Sequence, residues 1–389
     1  MTRHFVLATL LLAFATPAHA DFASCVASLR SEAAGQGISA NALEAAFAGL
    51  QPDMKVLEFQ KDQPEFKTPI WDYLAALVDD ERVADGKAAM ARYSGALAKA
   101  EERFGVDRHI IAAVWGVESN FGTAMGKRPL VQSLATLSCF GERASYFRDE
   151  LMATLKIINH GDIAADRLTG SWAGAFGQTQ FMPSTYLRLA VDLDGDGRRD
   201  IVDSVPDALG STANFLAKAG WQSGLPWGFE VKLPAGYSGP SGRKNKQPMS
   251  AWAARGITRI DGRGLGEGSG GLLLPAGANG PAFLVTRNFE AIFAYNAAES
   301  YSLAIATLAN RLAGGGAIAT PWPTDDPGLS RAQRRQLQSL LAKRGYDVGE
   351  PDGAVGQKTR DAIMAIEQQI GMPARGRPGM KVLRALRGN

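Results

Sequence analysis

Two cysteines and four histidines are all that the 389 residues contain, and the scarcity excludes several chemistries. The histidines are scattered, one of them being His4, and no His-Glu-x-x-His or Cys-x-x-Cys occurs. A zinc or redox centre therefore lacks ligands at metal-binding spacing. No Gly-x-Ser-x-Gly elbow occurs either, so a serine hydrolase has no anchor. Lys and Arg form no block and the net charge is +3, which offers a nucleic acid no electrostatic footprint. No apolar run reaches the roughly 20 residues a bilayer requires, so a membrane span is not expected.

What is present describes a globular chain of two or three domains, with 46% hydrophobic and 21% charged residues. Arg3 and His4 form a basic start, Phe5 to Ala15 an apolar stretch, and Ala18-His19-Ala20 a small-x-small cleavage site. Residues 1–20 read as a signal peptide, with the mature chain starting at Asp21 and exported to a bacterial periplasm. Cys25 stands ten residues beyond the apolar stretch, with Phe22 where an aliphatic residue is expected, which argues against a lipoprotein. In an oxidising compartment Cys25 and Cys139 are a candidate disulfide, the alternative being two separate buried thiols.

Apolar residues at three and four spacing predict helices over Cys25–Ala34, Ala40–Ala48, Thr68–Val78, Val83–Phe104 and Arg143–His160. Short strands at Phe229–Leu233, Gly271–Leu274 and Ala282–Val285 predict a small β-rich insertion. Helices return over Phe289–Tyr295 and Tyr301–Leu312. Gly314 to Gly316 and Pro321-Trp322-Pro323 mark a linker, beyond which a compact module runs from Leu329 to Leu386, with helices over Arg331–Arg344 and Thr359–Ile370.

The chain centres on Ala113-Val114-Trp115-Gly116-Val117-Glu118-Ser119-Asn120-Phe121-Gly122. Asp107 is a plausible N-cap and Gly122 a C-cap. Glu118 shares a helical face with Ile111, Val114 and Trp115. A carboxyl against apolar walls stays protonated near neutral pH and can act as a general acid; the alternative is a solvent-facing Glu at a helix end. The segment from Gly170 to Pro183 is rich in small residues, and its Ser171, Gln178 and Gln180 carry groups suited to a sugar or to a tightly packed turn.

Asp192 to Asp203 matches a twelve-residue EF-hand loop, with Gly197 at the sharp turn. Asp192, Asp194, Asp196 and Asp203 are the expected carboxylate ligands, Arg198 supplies a main-chain carbonyl, and Asp200 acts through water. Clustered carboxylates repel unless a cation lies among them. A structural Ca²⁺ is therefore expected, with no cofactor for catalysis.

Together these residues resemble the soluble lytic transglycosylase B family of murein-cleaving enzymes. The matching motifs are Val117 to Gly122, Ser171 to Pro183, Asp192 to Asp203, and Tyr295-Asn296 with Tyr301. The C-terminal module resembles a three-helix peptidoglycan-binding domain through Leu337-Gln338, Leu341, Gly345-Tyr346, Asp352-Gly353, Gly356, Thr359, Ile363, Leu383 and Leu386. It departs from that pattern at Ile366-Glu367 and Arg375-Gly376. The resemblance implies a mainly α (α+β) fold: a lysozyme-like helical catalytic domain over 21–318 with a β-rich insertion, a linker over 319–328, and the binding module over 329–389. It implies cleavage of the β-1,4 bond between N-acetylmuramic acid and N-acetylglucosamine, leaving a 1,6-anhydro ring. Glu118 would serve as acid and base, with the substrate's N-acetyl group assisting. Ser171, Gln180, Tyr295, Asn296 and Tyr301 match positions that line the site. The family often shows two adjacent Arg after the catalytic helix; Glu142-Arg143 stands here, so Arg143 alone carries over. The implied partners are peptidoglycan strands and cell-wall remodelling proteins, with the enzyme itself a monomer. The competing expectations are a muramidase that uses water, a wall-binding scaffold and a calcium-dependent lectin.

Overall fold

The computed structural model describes residues 17–61 and 68–388; most of the expected signal peptide lies outside the described residues. No helix among the described residues is long and apolar enough to cross a membrane. The fold is mainly helical with a small sheet insertion. The chain divides into two units, the first made of Met1–Asp62, Gly126–Phe176 and Met182–Leu187, the second of Gln63–Met125, Gly177–Phe181 and Arg188–Asn389.

In the first unit, helices Leu130–Phe140 and Ala144–His160 pack together. Leu130, Val131, Leu134, Ala135 and Leu137 are buried, and so are the polar Ser133, Thr136 and Ser138, so the first of these helices has no exposed face. The sequence reading expects no helix here, although Leu130, Leu134 and Leu137 fall at helical spacing. On the second, Phe147, Leu151, Leu155 and Ile157 are buried. Each such side chain contributes about 1.5–3 kcal/mol on burial. Cys25, on helix Pro17–Gly35, forms a disulfide with Cys139 on Leu130–Phe140, with Cα atoms 6.0 Å apart. The rings of Phe22 and Phe140 stack beside it at 6.0 Å. Glu150 is buried, and its carboxylate accepts the Ser184 backbone N–H at 2.9 Å and the Ser184 hydroxyl at 2.7 Å.

In the second unit, the expected helix Val83–Phe104 is two helices, Asp80–Arg92 and Ser94–Phe104. Tyr93 breaks it: its φ of −109° and ψ of 28° leave the helical region, and its ring stands edge-on to Trp115 at 5.5 Å. Helix Arg108–Ser119 packs against Glu299–Leu312. Ile110 to Gly116 are buried, as are Tyr301 to Ala309. Helices apolar on every side belong in a core, and these two form the core of the unit. The insertion is an antiparallel sheet in the order Gln247–Pro248, Ser269–Leu273, Ala282–Val285, Gly228–Lys232, Thr258–Arg259. Phe229, Val231, Trp252, Leu272 and Leu284 pack within it.

Helices Arg331–Lys343, Gln357–Gln369 and Met380–Arg387 form the C-terminal module around Leu337, Leu341, Ile363, Val382 and Leu386. Ser330 and Gln333 make a capping box at its start. The buried Gln338 amide accepts the Gly353 N–H at 2.7 Å and donates to the Ala354 carbonyl at 2.9 Å. Glu367 does similar work at a second turn, accepting the N–H groups of Arg375 (2.6 Å) and Gly376 (2.7 Å). The two places where the sequence departs from the module's usual pattern are thus bonded to each other. The module is tied to helices Ile70–Leu77 and Asp80–Arg92 by ion pairs. Arg377 holds Asp72 in a two-pronged pair at 2.6 Å on each arm, Arg331 lies 3.2 Å from Asp85, and Arg335 pairs with Glu81.

Candidate active site

Asp107 caps helix Arg108–Ser119 by accepting the His109 N–H at 2.7 Å. The helix ends earlier than expected: Asn120 (φ 50°), Phe121 (φ 57°) and Gly122 (φ 83°) are all left-handed, and Asn120 rather than Gly122 is the C-cap. A left-handed phenylalanine costs about 1–3 kcal/mol, and packing compensates for it. The Phe121 ring meets Trp115 edge-on at 5.5 Å and lies over Gly86 and Gly116, where a Cβ at Gly86 would come within 2.7 Å of it. Ser119 Oγ accepts the Gly122 N–H at 2.8 Å and donates to the Gln178 carbonyl. Gln178 is buried; its Oε1 accepts from Trp115 Nε1 at 2.9 Å and its Nε2 donates to the Val202 carbonyl at 3.2 Å. That amide serves packing, joining the helix of Glu118 to the acidic loop.

Glu118 is part-buried and opens on a cavity of about 420 Å³ shared with Thr68, Asp72, Tyr73, Asn296, Tyr301 and Arg360. Burial raises its carboxyl to about 7, against the hydrogen bond from Tyr301, which lowers it. At neutral pH the acid and its conjugate base are therefore present in similar amounts. Burial, and then the charge of Glu118, hold the phenols of Tyr295 and Tyr301 well above their ordinary value, so both remain neutral donors. Their rings stack at 6.3 Å, and Tyr295 donates to the Thr179 carbonyl at 2.7 Å. Asn296 is exposed on the cavity wall. A cavity of about 320 Å³ in the β insertion carries no carboxyl.

Asp72 is a second carboxylate on the same wall, and no sequence pattern marks it. Both of its oxygens accept from Arg377, so its charge is neutralised and its lone pairs are engaged. Gln180 also sits in a left-handed conformation (φ 52°). Its Nε2 donates to the carbonyls of Gly177 at 2.8 Å and Met125 at 3.0 Å, which uses both amide hydrogens and leaves Oε1 as the atom able to meet a ligand. Ser171 and Arg143 lie in the first unit. Ser171 Oγ accepts the Ala175 N–H at 3.0 Å, and the Arg143 guanidinium lies over the Tyr146 ring at 4.3 Å.

In the acidic loop, oxygens of Asp192, Asp194, Asp196 and Asp207 lie within 4.8 Å of one another. Asp203 is not in that group. Asp207 joins it from helix Val205–Lys218, because Ser204 caps that helix and turns its first acid back into the loop. Asp207 accepts the N–H groups of Leu193 and Asp200, each at 2.8 Å; burial pushes its carboxyl up to about 6 against those bonds. The N–H groups of Gly195 and Gly197 hold Asp192 below the usual carboxylate range, and both glycines need φ near 90° to do so. Arg198 sets its guanidinium 3.3 Å from Asp196 and 4.0 Å from Asp200. An anionic, all-oxygen set of this kind fits a hard divalent cation.

Residues 21–310 match the family model of the Transglycosylase SLT domain, and residues 330–386 match that of a peptidoglycan binding domain. The part-buried acid on a lysozyme-like helical scaffold and the appended three-helix module agree with both. The chain belongs to the Transglycosylase SLT domain family, whose relatives here are lytic transglycosylases, enzymes of the lyase type. Membrane-bound lytic murein transglycosylase B of Escherichia coli is 34% identical over 245 residues, which covers 62% of this chain and 66% of that relative, just under two thirds of its length. SltB3 from Pseudomonas aeruginosa, solved in complex with NAG-anhNAM-pentapeptide, is 46% identical, with a TM-score of 0.76 over 94% of this chain and 99% of that one. The Escherichia coli lytic transglycosylase SLT35, solved in complex with calcium, is 30% identical, with a TM-score of 0.65 over 76% of this chain and 93% of that one.

Proposed function

We propose that this protein is a periplasmic lytic transglycosylase that cleaves the β-1,4 bond between N-acetylmuramic acid and N-acetylglucosamine in peptidoglycan and leaves 1,6-anhydromuramic acid ends. The observation that carries the reading is Glu118, whose carboxyl is raised to about 7 in a cavity where the other carboxylate, Asp72, is held by Arg377. A hydrolase of this bond ordinarily uses two free carboxylates, and here one is available.

Protonated Glu118 gives its proton to the glycosidic oxygen as the C1–O bond breaks, and the substrate's N-acetyl oxygen covers C1. The Glu118 carboxylate then takes the proton of the C6 hydroxyl, whose oxygen closes on C1, and the acid is regenerated without water. Tyr301 positions the carboxyl by its hydrogen bond. Asn296, Tyr295 and the Gln180 Oε1 serve the sugar; for Ser171 and Arg143, in the first unit, a substrate-binding role is proposed on the family resemblance alone. The NAG-anhNAM-pentapeptide bound by SltB3 supports an anhydro product. Residues 21–318 form the catalytic part and 329–389 the wall-binding part, joined by 319–328, with residues 1–20 removed on export. Digestion of purified sacculi is expected to release muropeptides one water lighter than reducing-end products. Reducing ends alone would make the enzyme a muramidase.

Calcium is proposed to sit among Asp192, Asp194 and Asp196, with Asp207 bracing the loop from behind; SLT35 was solved with that ion. Its chemistry would be structural, since the loop is bonded through Ile201 and Val202 to Gln178. At a hundredfold excess over Kd a ligand adds about 2.7 kcal/mol, so EDTA is expected to lower the melting midpoint by about 5 °C. An unchanged midpoint, with no calcium found by elemental analysis of the purified protein, would refute the site.

A further inference from the structure

We infer that Arg360, a residue of the C-terminal module, is a substrate-binding residue of the cleavage site that takes a carboxylate carried by the muramic acid. This rests on the reading of the Glu118 cavity as that site.

Arg360 lies in the first turn of helix Gln357–Gln369 and lines the cavity that holds Glu118, Asn296 and Tyr301. It is exposed, and among the described residues its side chain has no hydrogen bond or ion pair. The module's other arginines near this wall are committed: Arg377 to Asp72 and Asp326, Arg331 to Asp79, Glu81 and Asp85, and Arg335 to Glu81. With Asp72 already held by Arg377, Arg360 lines the cavity with no ion pair of its own among the described residues. A guanidinium so placed matches a carboxylate, which it can grip with two parallel N–H bonds.

Its position is also built. A Cβ on Gly376 would lie 2.9 Å from the Arg360 carbonyl oxygen and 3.2 Å from its Cβ. The turn at Gly376 thus backs directly onto Arg360, and the buried Glu367 holds that turn. The departures at Glu367 and Arg375-Gly376 support the residue that faces the cavity. On this account the module does more than tether the enzyme to the wall, because one of its side chains reads the substrate at the cleaved bond.

Muramic acid carries carboxylates of two origins: those of the stem peptide, and its own lactyl carboxylate once the stem is removed. The full-length protein, with Arg360→Ala and Arg360→Lys, should be assayed on glycan strands bearing stems and on strands stripped by an amidase. Arg360→Ala is expected to raise KM about tenfold, the scale of one charge-assisted bond at an open site, with kcat and the melting midpoint unchanged. Arg360→Lys should fall between the two, keeping charge but not the planar fork. An effect confined to stem-bearing strands assigns the stem; one confined to stripped strands assigns the lactyl group, and an effect on both shows that Arg360 takes either carboxylate. A KM equal to wild type on both substrates would overturn the role of Arg360 while leaving the enzyme reading intact. A wild-type protein that releases no anhydro product would instead sink the reading on which the proposal rests.

Discussion

Glu118→Gln is expected to lower release of muropeptides from sacculi by at least about a thousandfold, with binding to the same sacculi retained. General acid–base assistance is worth about 10²–10⁴ per role, and this one carboxyl is assigned both proton transfers. Asp72 cannot stand in, because Arg377 occupies both its oxygens. Glutamine keeps the shape and can still accept from the Tyr301 hydroxyl, so the cavity should survive. Turnover that stays near wild type would remove Glu118 from the mechanism. The same carboxyl sets a pH limb: activity should decline as pH rises through about 7, where the proton needed for the first step is lost.

Stability gives an independent reading of that environment. The folded value of about 7 lies above the ordinary 4.5. The contribution of the protonated carboxyl is therefore complete below pH 4.5 and disappears as pH rises through 7. Glu118→Gln has no such loss. It should melt above wild type at pH 8, by an increment on the order of 3 kcal/mol at most, and match wild type at pH 4.

Severing the bond between Cys25 and Cys139 is expected to have the largest effect on stability. The crosslink spans a sequence separation of 114 residues. Closing a loop of that length in the unfolded chain is worth about 4–5 kcal/mol on the chain-entropy account. The paired substitution Cys25→Ser with Cys139→Ser should lower the melting midpoint by roughly 10 °C. A midpoint unchanged by the pair, and unchanged in wild type by a reducing agent, would show that helix packing suffices without the bond.

How much was legible beforehand depended on the range of the interactions. Glu118 and the helix beneath it could be read because their signals are local: an N-cap at Asp107, an apolar face, and a small-residue stop. The stop was misplaced by two residues, since Asn120 takes a left-handed conformation that is usually glycine's. Strands 229–233, 271–274 and 282–285 were legible to within two residues, because alternation and flanking glycines mark them. Helix Leu130–Phe140 was not, although Leu130, Leu134 and Leu137 keep helical spacing; its polar Ser133, Thr136 and Ser138 are buried beside them and give no exposed polar face to mark it. Asp207 was hidden by lying four residues past the twelve-residue loop, on the next helix. Asp72 and Arg360 carried no signal, because their place in the cavity depends on docking between distant parts of the chain.

The pair between Asp72 and Arg377 has a consequence for how the enzyme is made. The two residues are 305 positions apart, and Arg360 also lies in the last sixth of the chain. A polypeptide emerging from its N-terminus would have the helix of Glu118 long before it has either arginine. Until the final helices arrive, Asp72 stands in the cavity wall without the arginine that pairs with it. The charge balance of the site is thus among the last features to be completed. Completion of the Glu118 cavity and arrival of the C-terminal module are the same event.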